Sequence, residues 1–221
     1  MMTSGRPYGG NHMIDIAKQV TAVQRVVSQH SIDGGERVSV LLRRNYAAPI
    51  EDVWSALAEP GRLRRWFLPI TGELREGGRF QLEGNAGGEI IRCEAPRLLK
   101  MTFGAETSVV ELRLSEVDGA TGFEMMHSVP VQLAGNGAGA LFVGPGWDVN
   151  LLALELFLRG EVFANPVGWQ NSPEVQRFSR QTIKAWAAAA EDSGTADGDQ
   201  IAQGIATATA QFTPDLDPST A

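Results

Sequence analysis

His127 is the one histidine inside the part of the sequence that patterns as folded core. It closes the run Phe123-Glu124-Met125-Met126-His127, where strand alternation puts it on the side of Phe123 and Met125. A pocket-facing imidazole in that position could bind a polar ligand group or serve as a general base. A lone core histidine more often just hydrogen-bonds a neighbour. His12 and His30 fall in the leader and the hairpin region, so no three-ligand zinc set is visible, and neither a metal nor a cofactor is expected.

Other reactive residues fit ordinary structural roles. Glu89, Glu94, Glu111 and Glu124 could in principle supply an acid/base pair. They alternate with Ile90, Val110, Leu112, Phe123 and Met125, as outward strand positions do, and Arg44, Arg92 and Arg113 are natural partners. Cys93 lies in the strand-like EIIRCEAP and reads as a small buried hydrophobe. Gly135 to Gly139 and Gly144-Pro145-Gly146 suggest a phosphate loop, but no Lys-Ser/Thr follows and no βαβ unit surrounds them. A mobile lid tipped by Leu141 and Phe142 is the better expectation there. Arg62, Arg64 and Arg65 make the densest basic spot, by default a solvated helix face.

Composition narrows the partners. The net charge of −7 argues against nucleic acid, which needs a basic footprint. One cysteine excludes an internal disulfide. No signal-peptide pattern or long apolar run is seen, so a cytoplasmic protein without membrane association is expected.

These residues must be positioned by the elements around them. The longest apolar stretch is Gly146 to Phe163, with Trp147, Leu151, Leu154 and Leu158 on one helical face and Val149, Leu152, Leu156 and Phe157 widening it. Only Asp148, Glu155 and Arg159 interrupt it, so most of its circumference must be covered. It looks too short and too charged to span a bilayer. Upstream, residues 21–29 and 36–46 read as a hairpin about an Asp33-Gly34-Gly35 turn, after a short helix to about Lys18. Two short helices follow: Pro49 to Ala58, and Arg62 to Phe67. Six strands alternate with glycine-rich turns from Gly72 to His127, and Ser128 to Pro145 reads as a loop. Ser172-Pro173-Glu174 starts a further helix that Gly194 ends, and Asp199 could cap another running to Phe212. The economical architecture is α+β: one curved antiparallel sheet wrapped around a long C-terminal helix. The expected divisions are a disordered leader (1–12), a domain at 13–165, a helical C-terminal extension (170–213) and a frayed tail (214–221). The extension should dock on its own chain, with a homodimer as the alternative.

Arg43 to Leu99 resembles the START-like superfamily, also called the polyketide cyclase or helix-grip fold. More narrowly it is similar to the branch named after the activator of the heat-shock-protein-90 ATPase. The marks are Ala48-Pro49 with Val53-Trp54, Pro60 with Leu63 and Trp66-Phe67, Gly77-Gly78, Gly88 opening a strand, and Pro96. The strand FEMMH and the helix after GPGWD match in kind, so the resemblance covers about residues 36 to 163. It implies a hydrophobic cavity between sheet and long helix.

Three functions are compatible with this. The first is non-catalytic binding of a small lipophilic molecule by Trp54, Trp66, Phe67, Met125, His127, Trp147 and Leu151. The second is a cyclase or hydro-lyase using His127 as base. The third, implied by the branch name, is protein interaction or chaperone regulation.

Overall fold

A computed structural model describes residues 13–32 and 35–217. The expected leader, the Asp33-Gly34 part of the turn and the last four residues of the tail lie outside the described residues. The chain runs α1 (Ile16–Thr21), β1 (Gln24–Ile32), β2 (Gly35–Tyr46), α2 (Ile50–Ala58) and α3 (Pro60–Leu63). Then follow β3 (Ile70–Gly72), β4 (Arg79–Leu82), β5 (Gly87–Glu94), β6 (Leu98–Phe103), β7 (Ala105–Val117) and β8 (Ala120–Pro130). The helices α4 (Val131–Ala134), α5 (Ala140–Leu158), α6 (Pro166–Gln170), α7 (Pro173–Ser193) and α8 (Gly198–Phe212) complete it. The strands form one unclosed sheet of eight, ordered β1-β2-β8-β7-β6-β5-β4-β3. Six of the seven pairings thus join strands consecutive in sequence, and one long-range pairing seats β8 beside β2. The α+β helix-grip class expected from the element order is the fold observed.

The chain divides into two compact units, and β2, β8 and α5 each run from one into the other. The first unit holds residues 44–124 and 150–169. Pro49 starts α2 with Glu51 and Asp52 in the first turn, where acids complement the positive helix end. Tyr46 is fully buried; its ring meets the Phe123 edge at 5.7 Å and its hydroxyl donates to the Leu151 carbonyl at 3.2 Å. Arg44, also buried, reaches Glu155 at 3.4 Å. Arg44 is therefore a core residue. Arg92 does pair with Glu94, as expected. Glu111 is more enclosed than the sequence suggests, at 8% exposure, and takes Arg113 Nε at 2.7 Å and Lys100 Nζ at 3.2 Å. Gly88 is required because a Cβ there would overlap the Thr102 carbonyl on the neighbouring strand.

The second unit holds residues 14–43, 125–149 and the C-terminal helices from 170. Ser172 caps α7 as expected, and Gly194 ends it in the left-handed conformation that glycine tolerates. For α8 the cap is Asp197 rather than Asp199: its carboxylate takes the Gln200 N–H, and the Gln200 side chain returns a bond to the Asp197 N–H. α7 packs against β1 and α8.

The largest correction concerns Ser128 to Pro145, expected as a loop. β8 continues to Pro130, α4 follows, and the long helix begins at Ala140 with Pro145 inside it. Its glycines serve close helix contact. A Cβ on Gly144 would enter the Trp186 indole, and one on Gly146 would crowd Phe212. Gly204 on α8 makes the same kind of room for Leu141. Sequence pattern alone cannot separate such packing glycines from loop glycines. With the added turns, the segment 137–158 is long and apolar enough to cross a membrane by length and composition, against the expectation for the shorter stretch. More than half of its apolar window is buried within the protein, as a core helix also would be.

Candidate functional site

In the first unit α2 and the turn after α3, where the helix expected to reach Phe67 has already ended, present three of the expected ligand contacts. Trp66 is buried at 4% exposure, and its indole N–H donates to the Ala56 carbonyl at 3.0 Å, tying the turn after α3 to α2. Its ring stacks on Phe67 at 5.6 Å between centroids. Phe67 and Trp54 are only half-buried. Leu151, on the α5 portion of this unit, is buried. In the basic spot beside them Arg64 and Arg65 are exposed, as expected, and Arg62 is half-buried. Arg62 donates to Asp52 Oδ1 at 2.6 Å and also contacts Ser55 Oγ, while Arg62 and Arg65 lie over the Phe157 ring at 5.3 and 5.2 Å. Stacking on an aromatic face gives these guanidiniums a favourable place without full hydration.

In the second unit Met125 is fully buried and His127 nearly so. The imidazole meets the half-buried Trp147 edge-on at 5.7 Å, and Trp147 Nε1–H donates to His127 Nδ1 at 3.1 Å. That bond requires an unprotonated Nδ1, so the neutral ring carries its proton on Nε2. Burial, and then the Arg37 charge, push the His127 pKa down to about 4. Arg37 itself is held by Ser128, through Nε to Oγ at 2.9 Å and Nη2 to the carbonyl at 2.7 Å. The imidazole is therefore neutral at pH 7, with one nitrogen committed as acceptor. A general base works best with a pKa near the operating pH.

Leu141 and Phe142, expected at a lid tip, lie in the first turn of α5. Leu141 is fully buried against α8, so the segment is helical core rather than a loose flap. Phe142 is 39% exposed.

Sequence reading missed one polar centre in the second unit. Asp148 is fully buried and receives both ends of Arg25, Nε to Oδ2 at 2.9 Å and Nη2 to Oδ1 at 2.7 Å. Trp186 Nε1–H adds a third bond to Oδ2 at 2.7 Å. Arg25 Nη1 also donates to the carbonyls of Val20 and Val23, so the guanidinium is satisfied on several sides. The available signal was an acid set between Trp147 and Val149 on an otherwise apolar helix. Every donor here is engaged in structure, which makes this centre a fastening of β1, α5 and α7. Among the described residues, no group of three or more His, Cys, Asp or Glu is placed to hold a metal ion. Cys93 is part-buried, and burial, then the Glu76 charge, raises its pKa, disfavouring the reactive thiolate.

Comparison with known proteins now bears on this arrangement. Residues 47–158 match the model of the family described as Activator of Hsp90 ATPase homolog 1-like protein. CalU16 from Micromonospora echinospora is 38% identical in its crystal structure, with 77% of this chain and 99% of that chain covered and a TM-score of 0.62. Its solution structure gives 39% identity, 78% and 97% coverage and a TM-score of 0.65. The conserved protein EF2215 from Enterococcus faecalis, of unknown function, shares the fold at 17% identity, with 79% and 95% coverage and a TM-score of 0.55. No curated protein matches the chain. The family and these neighbours suggest a ligand-binding type of fold. This chain belongs to the Activator of Hsp90 ATPase homolog 1-like family, within the START-like superfamily.

Proposed function

We propose that this protein binds a small hydrophobic molecule without transforming it. The observation that carries this reading is the partial exposure of large aromatic side chains inside otherwise well-covered units: Trp54 and Phe67 in the first, Trp147 in the second. Burying a large apolar side chain is favourable by roughly 1.5–3 kcal/mol, so rings left half-covered are available to an apolar ligand. Trp66, Met125 and Leu151 are already covered. His127 contributes a polar edge held in one tautomer by Trp147. The hydro-lyase reading is weaker because its base is a buried imidazole with a pKa of about 4. A chaperone-regulating role rests on the family name alone.

Native mass spectrometry of the purified protein tests the binding reading, followed by Trp54→Ala and Trp147→Ala, each examined by itself. A lipophilic adduct that is lost or weakened about tenfold in either variant supports it. Protein free of any adduct, with no affinity across a panel of lipophilic compounds, refutes it. Loss of turnover of some substrate in a folded His127→Ala variant would establish the enzyme reading instead.

A further inference from the structure

The second unit carries a groove of its own. α1 and α7 flank this groove of about 620 Å3, and Leu216 also lines it. Binding sites for small molecules occupy roughly 300–1,000 Å3. Ile16 and Val20 come from one turn of α1 and, with Leu216, offer an apolar wall. Arg177, Arg180 and Gln181 face the same groove from α7, where positions three and four apart share a helix face. We infer that this groove binds a medium-chain carboxylic acid, its alkyl chain along Ile16, Val20 and Leu216 and its carboxylate on Arg177 and Arg180.

Charge decides the class of ligand. The chain carries a net charge of −7, yet this groove is lined by two guanidiniums and no carboxylate. Of the nearby acids, Asp217 follows Leu216 and is exposed, and three others accept hydrogen bonds. Asp15 caps α1 through the Lys18 N–H, Glu174 accepts the Ile14 N–H at 2.6 Å, and Asp215 accepts from Gln176. Arg180 is steadied by a bond from Nη2 to the Asp217 carbonyl at 3.1 Å, while Arg177 is exposed. A fork of N–H donors suits a carboxylate better than an alcohol or an ester. The small apolar wall, one or two side chains deep, suits an unbranched chain better than a ring system.

The test is a methyl and indole NMR titration of the full chain with sodium decanoate below its micellar concentration. Decanoate should shift the methyls of Ile16, Val20 and Leu216, and 1-decanol should not. The Arg177→Gln variant, and the double variant Arg177→Gln with Arg180→Gln, should weaken decanoate about tenfold or more. Because Arg180 has a structural bond, the single Arg177 variant carries the conclusion if the double variant is poorly folded. Equal binding of decanol, unshifted groove methyls, or binding only to phosphatidylglycerol vesicles would overturn the assignment. Shifts confined to the indoles of Trp54 or Trp147 would also overturn it, while supporting the proposal for the aromatic side chains.

Discussion

Replacing Asp148 by alanine removes the acceptor for three hydrogen bonds at once, two from Arg25 and one from Trp186. The carboxylate has no exposed surface and the Arg25 side chain only 6%. The guanidinium would stay enclosed beside a cavity, keeping its bonds to the Val20 and Val23 carbonyls and losing its counter-charge. Breaking one side of a buried ion pair costs about 3–5 kcal/mol. Total stabilities are typically about 5–15 kcal/mol, so Asp148→Ala should remove a large share of the whole. For a chain of this length that corresponds to a fall in Tm of about 6–20 °C. Urea denaturation followed by far-ultraviolet circular dichroism, with wild type in parallel, measures it. The compensated variant Arg25→Met with Asp148→Leu separates the ion pair from packing. It should recover most of the loss, leaving about 1–3 kcal/mol for the Trp186 N–H deprived of its partner. A loss below about 1 kcal/mol in Asp148→Ala would show that the pair is hydrated or absent in solution, and the fastening of β1, α5 and α7 would have to be abandoned.

Further expectations concern neighbouring features. His127, with its pKa pushed down to about 4 against an ordinary 6.5, favours the neutral ring in the folded state. Its contribution is therefore present above pH 6.5, declines as pH falls towards 4, and amounts to at most about 3 kcal/mol. His127→Gln should flatten that part of the Tm-against-pH curve between pH 7 and 4, and an unchanged slope would contradict the assignment. Trp147→Phe keeps the apolar ring and deletes the donor to His127, which should cost about 1 kcal/mol in denaturant titration and raise the His127 pKa measured by NMR. Gly144→Ala drives a methyl into the Trp186 ring and should destabilise by about 1–3 kcal/mol, whereas a truly loop-like Gly144 would accept alanine without loss.

The sheet was the most legible part of the fold because its signals are local. Alternation in Arg37 to Tyr46 and the short turns between Gly72 and His127 specify strands without reference to distant residues. The cap at Ser172 and the stop at Gly194 are likewise written within a few positions. Gly144 and Gly146 failed as signals because their reason lies some forty and sixty residues away, in Trp186 and Phe212. An observer of the sequence sees Gly-Pro-Gly and reads a loop, while the folded chain uses the missing side chains to bring helices together. Asp148 was placed on the polar strip of the long helix, but its carboxylate faces Arg25 and Trp186 instead of water. For the candidate site, residue identity indicated which side chains are bulky and apolar. Which rings are covered and which remain half-open depends on tertiary packing. The Trp147 bond that commits His127 Nδ1 depends on it too.

The second unit is assembled from three separated pieces of sequence, 14–43, 125–149 and the segment from 170 onward. This has a consequence for synthesis. A ribosome adding about 5–20 residues per second delivers Arg25 well before Asp148, and Trp186 later still. During that interval β1 and β2 have emerged without α7, which packs on β1, and their Val27 and Val40 are still in water. Translation must pass residue 186 before the Trp186 indole can close on Asp148. Premature termination anywhere before α7 therefore leaves a nascent product with the sheet strands made and their cover missing, a natural substrate for holdase chaperones and quality-control proteases.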